Sequence, residues 1–488
     1  MSSITRRSFL EHTLAVSAAG LAASQLASAQ EAHSKTEARP TARVSANDKI
    51  GVAVIGLHGR GLDHLKGYGG EAGAEVVAIC DVDPGTFDKA QQTLSQRGRA
   101  AAKTYGDLRK MLENPDVHAV SIAMPNHWHA LAAYWAMAAG KDVYVEKPIS
   151  HNIHEGRILE QARVKFDRIC QAGTQARSSS AHREAIDYIR EGHIGRVMLA
   201  RGLCYKKRDS IGHFEDSTPP SGVDYDLWLG PAPARPFNKN RFHYNWHWNW
   251  DYGNGDIGNQ GVHQMDIARW AVGREMSSSA ISVGGRFGYE DDGQTPNTMV
   301  TLLEMNETPL IFEVRGLKTP PLSGVTVGNI IYGTDGFVAF GEEDSSSAVA
   351  FDNSGKRVKA FKGSGNHFGN FLAAVRSRKQ SDLNCPILEG HLSSTLCHLA
   401  NISYRMGAAH PFDLPPRAFG EAVDMYEAFG RFEQHLADSA LSLRELSYKL
   451  GPKASFDSKR EKFGGSAQAN NFLSREYRAP YVVPETIS

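Results

Sequence analysis

The sequence predicts an α/β fold that begins with a doubly wound parallel sheet. Short β-branched runs alternate with helix-like segments from Lys49 onward, which is the spacing of βαβ units. The runs are KIGVAVIG, EVVAICDVDP, VHAVSIAMP, KDVYVEKP and RICQAG, and helical patterns cover 126–140 and 152–165. Such sheets bind their ligands at the carboxyl ends of the strands, so the residues that close each run are the first candidates for a site.

Glycines close the first run and begin a helix. Gly56, Gly59 and Gly61 allow a tight turn, through which the backbone can approach a pyrophosphate at a helix N-terminus. His58 stands where the G-x-G-x-x-G fingerprint has its second glycine, so the fingerprint is incomplete. Asp81 ends the second run, where a carboxylate bonds the adenosine ribose and repels a 2′-phosphate. The sequence therefore predicts a bound dinucleotide, NAD rather than NADP.

The residues predicted to contact this cofactor lie in the glycine turn or near strand ends. They are Gly56, His58, Gly59, Arg60, Gly61, Asp81, Pro125, Asn126, His129, Glu146 and Lys147. An ordinary strand–helix turn is the alternative for the glycines alone, and the repeated order of strand ends favours the dinucleotide.

Lys147 is the first candidate for catalysis. It lies between Glu146 and Pro148 at the end of a strand, where its side chain could bond a substrate hydroxyl and stabilise a developing oxyanion. Partial burial would lower its pKa toward a useful range. A solvated surface lysine is the alternative.

His263 is the second candidate, in a segment predicted as a partly buried helix that ends at Gly273. An imidazole suits proton removal from a hydroxyl because its ordinary pKa is near neutral. Asn259 and Asp266 lie about one turn before and after it, so a helical path would put all three on one face. A core histidine satisfied by Asp266 is the alternative.

At these motifs the chain resembles the glucose–fructose oxidoreductase/inositol dehydrogenase/MocA (Gfo/Idh/MocA) family. The resemblance runs from about Lys49 to the end, and it is carried by VIGLHGRG, CDVDP, MPNHWHA, YVEKPIS, EGHIGRV and GNGDIGNQGVHQMDIARW. The stretches HFGNFLAAVRSRK and EGHLSSTLCHLANISYRMG resemble an exported subgroup.

This resemblance implies a Rossmann domain followed by an α+β domain with an open-faced, mainly antiparallel sheet. It also implies bound NAD or NADP, a sugar or cyclitol substrate, and Lys147 and His263 on either side of the reacting carbon. Many dehydrogenases of the family carry aspartate where Asn259 stands, and an asparagine cannot stabilise an imidazolium by charge.

An aromatic segment, RFHYNWHWNWDYG at 241–253, precedes His263. Aromatic faces dock the C–H faces of sugar rings while polar neighbours bond the hydroxyls. We expect alternate tryptophans on one face of a strand; an aromatic core or an oligomer interface is the alternative. The predicted substrate contacts are Tyr244, Trp246, Trp248, Asn259 and Asp266. The spacing of His243 and His247 would suit zinc only on a helix, so no metal site is expected.

The N-terminus predicts export. TRRSFL at 5–10, a weakly apolar stretch and the small residues at 27–29 follow the order of a twin-arginine signal peptide. We expect the twin-arginine export machinery as a partner, a periplasmic or otherwise exported protein, and no membrane span in the mature chain. The predicted divisions are a signal peptide (1–29), a flexible arm (30–47), a Rossmann domain (48–175), a substrate and oligomerisation domain (176–410) and a C-terminal wrapping segment (411–488).

Composition adds two expectations. Lys plus Arg and Asp plus Glu both number 54, so the formal net charge of zero favours neither nucleic acid nor an anionic membrane. The five cysteines are odd in number and widely spaced, which predicts buried thiols rather than disulfides.

The segment DYDLWLGPAP at 224–233 is predicted to be a loop that could cover the cofactor.

Three functions remain open at this point. The first is an NAD(P)-dependent oxidoreductase that acts on a hydroxyl of a sugar, glycoside or cyclitol and recycles a tightly bound cofactor. The second is an NAD-dependent glycoside hydrolase that works by transient C3 oxidation and elimination. The third is a non-catalytic sugar-binding protein, which the combination of Asp81, Lys147 and His263 disfavours. A homo-oligomer is expected in each case.

Overall fold

A computed structural model describes residues 48–487 except 274–275, 306–307, 343, 345 and 414–415. The predicted signal peptide and flexible arm lie outside the described residues. The strands are β1 Ile50–Ile55, β2 Ala74–Cys80, β3 Lys103–Tyr105, β4 Ala119–Ile122, β5 Asp142–Glu146, β6 Cys170–Gly173, β7 Val197–Tyr205, β8 Ser279–Gly285, β9 Thr298–Met305, β10 Thr308–Arg315, β11 Val327–Gly333, β12 Gly336–Phe340, β13 Ala348–Asp352, β14 Arg357–Phe361, β15 Ala408–Pro411, β16 Ser447–Leu450, β17 Ala454–Asp457 and β18 Lys462–Phe463. The helices are α1 Arg60–Gly70, α2 Phe87–Ser95, α3 Leu108–Leu112, α4 Asn126–Ala138, α5 Ile153–Phe166, α6 Ser180–Arg190, α7 Tyr225–Leu229, α8 Gly255–Asn259, α9 Gly261–Val272, α10 His367–Ser377, α11 Ile387–Arg405, α12 Val423–Asp438 and α13 Ala467–Asn471.

The first sheet has the predicted doubly wound topology. Its six strands follow the order β3-β2-β1-β4-β5-β6, and every pair is parallel. Strands β1 and β5 are buried along their whole length, as expected of strands with helices on both faces. The strand order reverses between β1 and β4, which is where a parallel sheet of this kind opens a ligand crevice.

The sequence prediction lacked one strand of this sheet. β3 comprises only Lys103, Thr104 and Tyr105, and none of the three is buried. It pairs with β2 at the edge of the sheet, so it needs no apolar run and gives none of the periodicity by which the inner strands were predicted.

The second sheet is mixed and larger. Ten strands follow the order β14-β13-β12-β11-β7-β10-β9-β8-β16-β15, and β17 also pairs with β8. β7 and β10 pair in parallel, and the other neighbours in this order are antiparallel. Helices α9 and α11 pack on one face through buried side chains such as Met265 and Leu396. On the other face α12 covers the region of β8 to β10 with Phe429 and Phe432, so the predicted open face is partly covered.

The C-terminal half of the chain also contacts the first sheet. Helix α10 contributes Phe371 and Val375 to the core formed by β1, β2 and α1. The stretch after α13, which we call the strap (residues 473–487), returns to α4 and α5. There the backbone N–H of His154 donates to Leu473, and the ring of Tyr481 packs edge-on against Trp128. The first domain is therefore packed against two segments of the C-terminal half, α10 and the strap.

Two further features concern the cysteines and the apolar character of the helices. All five cysteines are described, and all are free and buried, as predicted. In the part of the chain that the structure describes, no helix is both long and apolar enough to cross a bilayer.

Candidate active site

A cavity of about 420 Å³ opens at the carboxyl ends of the parallel strands. The first domain supplies the glycine turn and the strand ends. The second domain supplies Leu227 and Trp228 of α7, Phe242, His243, Tyr244, Trp246, His247, Asn259 and His263. This volume lies within the usual range for sites that bind small molecules and cofactors. The cavity therefore joins the two groups of residues that the sequence predicted separately.

The glycine turn has the backbone geometry that a pyrophosphate requires. Gly56 has φ +82°, and a Cβ there would lie 2.7 Å from the carbonyl oxygen of Ala123. Gly59 has φ +44° and lines the cavity, and a Cβ on it would project into open space. Gly61 does not line the cavity: a Cβ there would lie 1.8 Å from the carbonyl oxygen of Gly56, so this glycine permits α1 to approach β1.

Asp81 is held firmly at the end of β2. Its Oδ2 accepts from the backbone N–H of Leu57 at 2.7 Å, and its Oδ1 accepts from that of Asp83 at 2.9 Å. Burial raises the pKa of Asp81, and these two N–H groups oppose the rise. The carboxyl thus lies in the cavity wall beside the glycine turn, where an adenosine ribose would be bound.

Glu146 is the centre of a buried polar network. Its Oε1 accepts from Arg60 Nε at 2.9 Å and from Gln175 Nε2 at 2.9 Å, and it lies 3.0 Å from Nε2 of His64. Burial would raise the pKa of Glu146, but the Arg60 guanidinium and His64 hold it well below its usual range. A carboxylate therefore persists directly beside Lys147, and Arg60 is occupied by it.

Lys147 points across the cleft toward the second domain. Its Nζ donates to the backbone carbonyl of Asn259 at 3.0 Å and lies 3.5 Å from the Asn259 Oδ1. Burial lowers the pKa of Lys147, although Glu146 opposes the change. The break between α8 and α9 brings this carbonyl into the cavity, since α8 ends at Asn259 and α9 begins at Gly261.

His263 lies on the first turn of α9 and also lines the cavity. No ring nitrogen of His263 has a hydrogen-bond partner among the described residues. Burial, and next the charge of Lys147, lower the pKa of His263 to about 3 rather than leaving it near neutral. The ring is thus a neutral imidazole with a lone pair available to a ligand.

His247 is a further cavity histidine, and it is not among the predicted site residues. Its Nδ1 lies 2.6 Å from the carbonyl oxygen of Tyr244 and must donate to it, so Nε2 is the unprotonated nitrogen of the neutral ring. The ring stacks on Trp246 with 3.6 Å between centroids. Burial first, and then the charges of Lys147 and Arg208, lower the pKa of His247 to about 3. Only its spacing from His243 had drawn attention to it in the sequence.

Two predicted cofactor contacts lie on α4. Asn126 begins this helix and is buried, and its Oδ1 has no hydrogen-bond partner among the described residues. His129 lies 2.6 Å through Nδ1 from the Pro148 carbonyl and 2.7 Å through Nε2 from the Met124 carbonyl. It therefore connects the segment after β4 with the segment after β5. Both residues, and Pro125, line the cavity.

Two predicted substrate residues lie elsewhere. Asp266 is fully buried, and both its oxygens accept from Arg177 at 2.8 Å, so it neither faces the cavity nor satisfies His263. Trp248 is buried beneath the guanidinium of Arg208, 5.2 Å from the ring centroid. Tyr244, Trp246 and Asn259 do line the cavity.

The aromatic segment is not a strand. Residues His243–Trp248 form a 3₁₀ helix, whose three-residue period sends Trp246 and Trp248 to different environments. The 224–233 segment is likewise not a loop throughout, because α7 occupies Tyr225–Leu229 and places Trp228 in the cavity wall. Among the described residues no group of three or more His, Cys, Asp or Glu side chains is arranged to hold a metal ion.

The strand order, the glycine turn and the acid at the end of β2 define a dinucleotide-binding protein with a second domain over the cofactor crevice. Residues 50–174 match the family model described as "Oxidoreductase family, NAD-binding Rossmann fold", and residues 204–296 match "Oxidoreductase family, C-terminal alpha/beta domain". In these two regions the chain is similar to the Gfo/Idh/MocA oxidoreductase family.

Curated relatives match less than half of the chain. A "Glycosyl hydrolase family 109 protein" of Shewanella pealeana is 28% identical over 204 residues, covering 40% of this chain and 44% of that protein. An "Inositol 2-dehydrogenase" of Salmonella typhimurium is 31% identical over 159 residues, covering 32% and 46%. The chain thus spans less than half the length of these relatives.

A solved structure shows the same fold over more of the chain. The WlbA dehydrogenase of Bordetella pertussis, in complex with NADH and UDP-GlcNAcA, has a TM-score of 0.55 and 20% identity. The match covers 75% of this chain and 100% of that one.

The residues present fit a bound dinucleotide. Gly59 leaves open space at the first turn of α1, Asp81 lies in the wall beside it, and Asn126 keeps an unpartnered oxygen at the neighbouring strand end. The first two positions correspond to the pyrophosphate and ribose sides of a Rossmann crevice, and Asn126 lies after β4, next to the point where the strand order reverses.

Proposed function

We propose that this protein is an NAD-dependent oxidoreductase that acts on a hydroxyl of a sugar, glycoside or cyclitol. The observation that carries the proposal is the meeting of Lys147 and His263 in one cavity, one from each domain, at the carboxyl end of β5. The similarity to an inositol 2-dehydrogenase, and to a dehydrogenase solved with a nucleotide sugar, supports the substrate class.

Bound NAD would supply a hydride acceptor for the carbinol carbon. Lys147 donates to the reacting oxygen and stabilises the negative charge that develops on it. His263, neutral and without a protein partner in the described residues, accepts the hydroxyl proton. Asn259 holds the Lys147 ammonium through its backbone carbonyl, but its amide side chain offers no charge to stabilise the imidazolium that forms on His263.

The outer part of the cavity suits a sugar ring. Trp246 offers an aromatic face, Tyr244 is about half exposed at the mouth, and His247 presents an unprotonated Nε2 as a hydrogen-bond acceptor. Apolar C–H faces and hydroxyl groups alternate on a pyranose, which matches this mixture of contacts.

The same geometry favours NAD over NADP. Asp81 would repel a 2′-phosphate, and Arg60 cannot easily compensate because its Nε is bonded to Glu146 and its NH1 lies 3.6 Å from Asp63.

Substitution of the two catalytic candidates tests this function. We expect Lys147→Met and His263→Ala to lower turnover at least about 10²-fold, the usual scale for acid–base groups, with NADH affinity changed little. His193→Asn, at an exposed histidine outside the cavity, is the matched control. Wild-type turnover in either variant would remove that residue from the mechanism. Failure of every sugar, glycoside and cyclitol to reduce bound NAD in the wild type would favour the sugar-binding alternative.

A glycoside hydrolase that uses NAD as an internal redox catalyst is the second candidate. Oxidation of a hydroxyl acidifies the neighbouring C–H, so elimination needs a second base in addition to the one that takes the hydroxyl proton. The two neutral imidazoles of His247 and His263 in one cavity meet this requirement, and a relative carries a glycosyl hydrolase name. Many turnovers on one glycoside without added cofactor favour the hydrolase, whereas turnovers only with a second carbonyl sugar favour the oxidoreductase.

We also propose that the protein is exported with its cofactor already bound. TRRSFL and the small residues at 27–29 support a twin-arginine signal, and this route carries folded proteins. N-terminal sequencing of protein from the exported fraction should find cleavage after residue 29, and a lysine pair in place of Arg6 and Arg7 should retain the precursor in the cytoplasm. Gel filtration with light scattering tests the expected homo-oligomer.

A further inference from the structure

Two histidines from different domains meet at the mouth of the cavity. His58 follows β1 in the glycine turn, and His243 belongs to the 3₁₀ segment of the second domain. Their rings stack with 4.5 Å between centroids and 28° between planes. The second glycine of the fingerprint has thus been replaced by a side chain that reaches across the crevice.

The backbone of the second domain has an unusual conformation at His243. His243 has φ +48°, in the left-handed region that a non-glycine residue adopts only at a cost. The preceding Phe242 is buried in an aromatic cluster with Trp228 and Phe237, which fixes where the chain turns. Nε2 of His243 lies 3.7 Å from the carboxylate of Asp83, beside the predicted ribose site. Several contacts therefore hold the ring over the entrance.

We propose that His58 and His243 form a clasp that closes over the pyrophosphate and slows release of the dinucleotide. His58 is part of the glycine turn that leads into α1, and both His58 and His243 line the cavity, so a pyrophosphate bound at this turn would lie beside the stacked pair. Burial and the neighbouring His58 lower the pKa of His243, with Asp83 opposing, so the ring is neutral and able to stack at neutral pH. Covering a ligand in this way slows its escape.

Dissociation of NADH from the loaded protein tests the clasp without reference to turnover. The loss of NADH fluorescence after addition of excess NAD gives the dissociation rate. We expect His243→Asn, which tolerates the left-handed backbone, and His58→Gly, which restores the fingerprint, each to raise the rate about two- to tenfold. This range corresponds to the 0.5–1.5 kcal/mol typical of an aromatic pair.

Two further variants make the result specific to the pair. The double variant should dissociate no faster than the faster single variant, because either change alone opens the clasp. His58→Phe should keep most of the slow rate, since it retains an aromatic ring for the stack at a position where the backbone is not left-handed. His193→Asn, which disrupts an exposed stack on Tyr188 outside the cavity, should leave the rate unchanged. An unchanged rate in both singles, or fully additive effects in the double, would overturn the clasp, and a wild type that binds no NADH would overturn the cofactor assignment with it.

Discussion

The variant Asp266→Asn tests whether Asp266 stabilises the fold or contacts the substrate, as the sequence suggested. Asp266 is fully buried, accepts two hydrogen bonds from Arg177 and accepts a third from Ser393 at 2.7 Å. Loss of one partner from a buried ion pair costs about 3–5 kcal/mol, because the remaining charge is left uncompensated. Arg177 still has Glu389 at 3.1 Å, so we expect the lower end of that range, about 3 kcal/mol.

The assay is thermal unfolding together with ligand titration. A loss of about 3 kcal/mol should lower the Tm by roughly 6–12 °C for a domain of this size. Below the melting range, NADH and substrate affinity should stay within about twofold of wild type, since Asp266 does not reach the cavity. Asp457→Asn, at an exposed carboxylate, serves as the control for loss of one negative charge. A variant as stable as wild type that has lost affinity for its sugar would refute the structural assignment.

The charge on Asp266 also predicts a pH dependence of stability. Burial alone would raise its pKa, but the Arg177 guanidinium holds the pKa below its ordinary value in the folded protein. The stability that this carboxylate contributes is therefore present above the unfolded pKa of about 3.9 and is lost as the pH falls through the lower folded pKa. The asparagine variant should lack this part of the acid sensitivity.

Three other substitutions test the site. Burial and Lys147 lower the pKa of His263 to about 3, so the rate of bound-NAD reduction should not fall as the pH is lowered through 6.5. A fall of the rate near pH 6.5 that is absent in His263→Asn would contradict this. Asp81→Asn should lower the ratio of the NADP dissociation constant to the NAD dissociation constant about tenfold. An unchanged ratio would show that Asp81 is not the group that distinguishes the two cofactors. Arg478→Ala should speed NADH dissociation severalfold, because Arg478 bonds the Asp226 carbonyl at 2.6 Å and so fixes α7 against the cavity; an unchanged rate would show that α7 holds its place without the strap.

The sequence predicted the parts of the site that depend on strand ends. Gly56, Asp81 and Lys147 each follow a β-branched run, and the parallel topology necessarily gathers such positions at one edge of the sheet. Asp266 was misplaced for a different reason: α9 is buried on nearly all sides, so its period shows which residues share a face but not what that face meets. His247 could not be predicted, because its role depends on a 3₁₀ turn and on a carbonyl contact that no periodic pattern records.

The cavity wall argues for a cofactor that is retained rather than exchanged. Two parts of the chain outside the first domain line the crevice near the predicted cofactor site, namely α7 and the segment with His243, and the strap holds α7 through Arg478. If the dinucleotide left after every turnover, these contacts would have to open and close each time, and dissociation would limit the rate. A retained cofactor removes that limit but must be reoxidised in place, either by a second carbonyl substrate or by the later half of a glycosidic cleavage. Variants that weaken the clasp or the strap should lose cofactor during turnover, and added free NAD should replace it. We therefore expect free NAD to stimulate turnover only in these variants, and the stimulation should increase with the measured dissociation rate of the cofactor. Stimulation of the wild type beyond its own dissociation rate would show that the cofactor exchanges by another route, and the case for retention would fail.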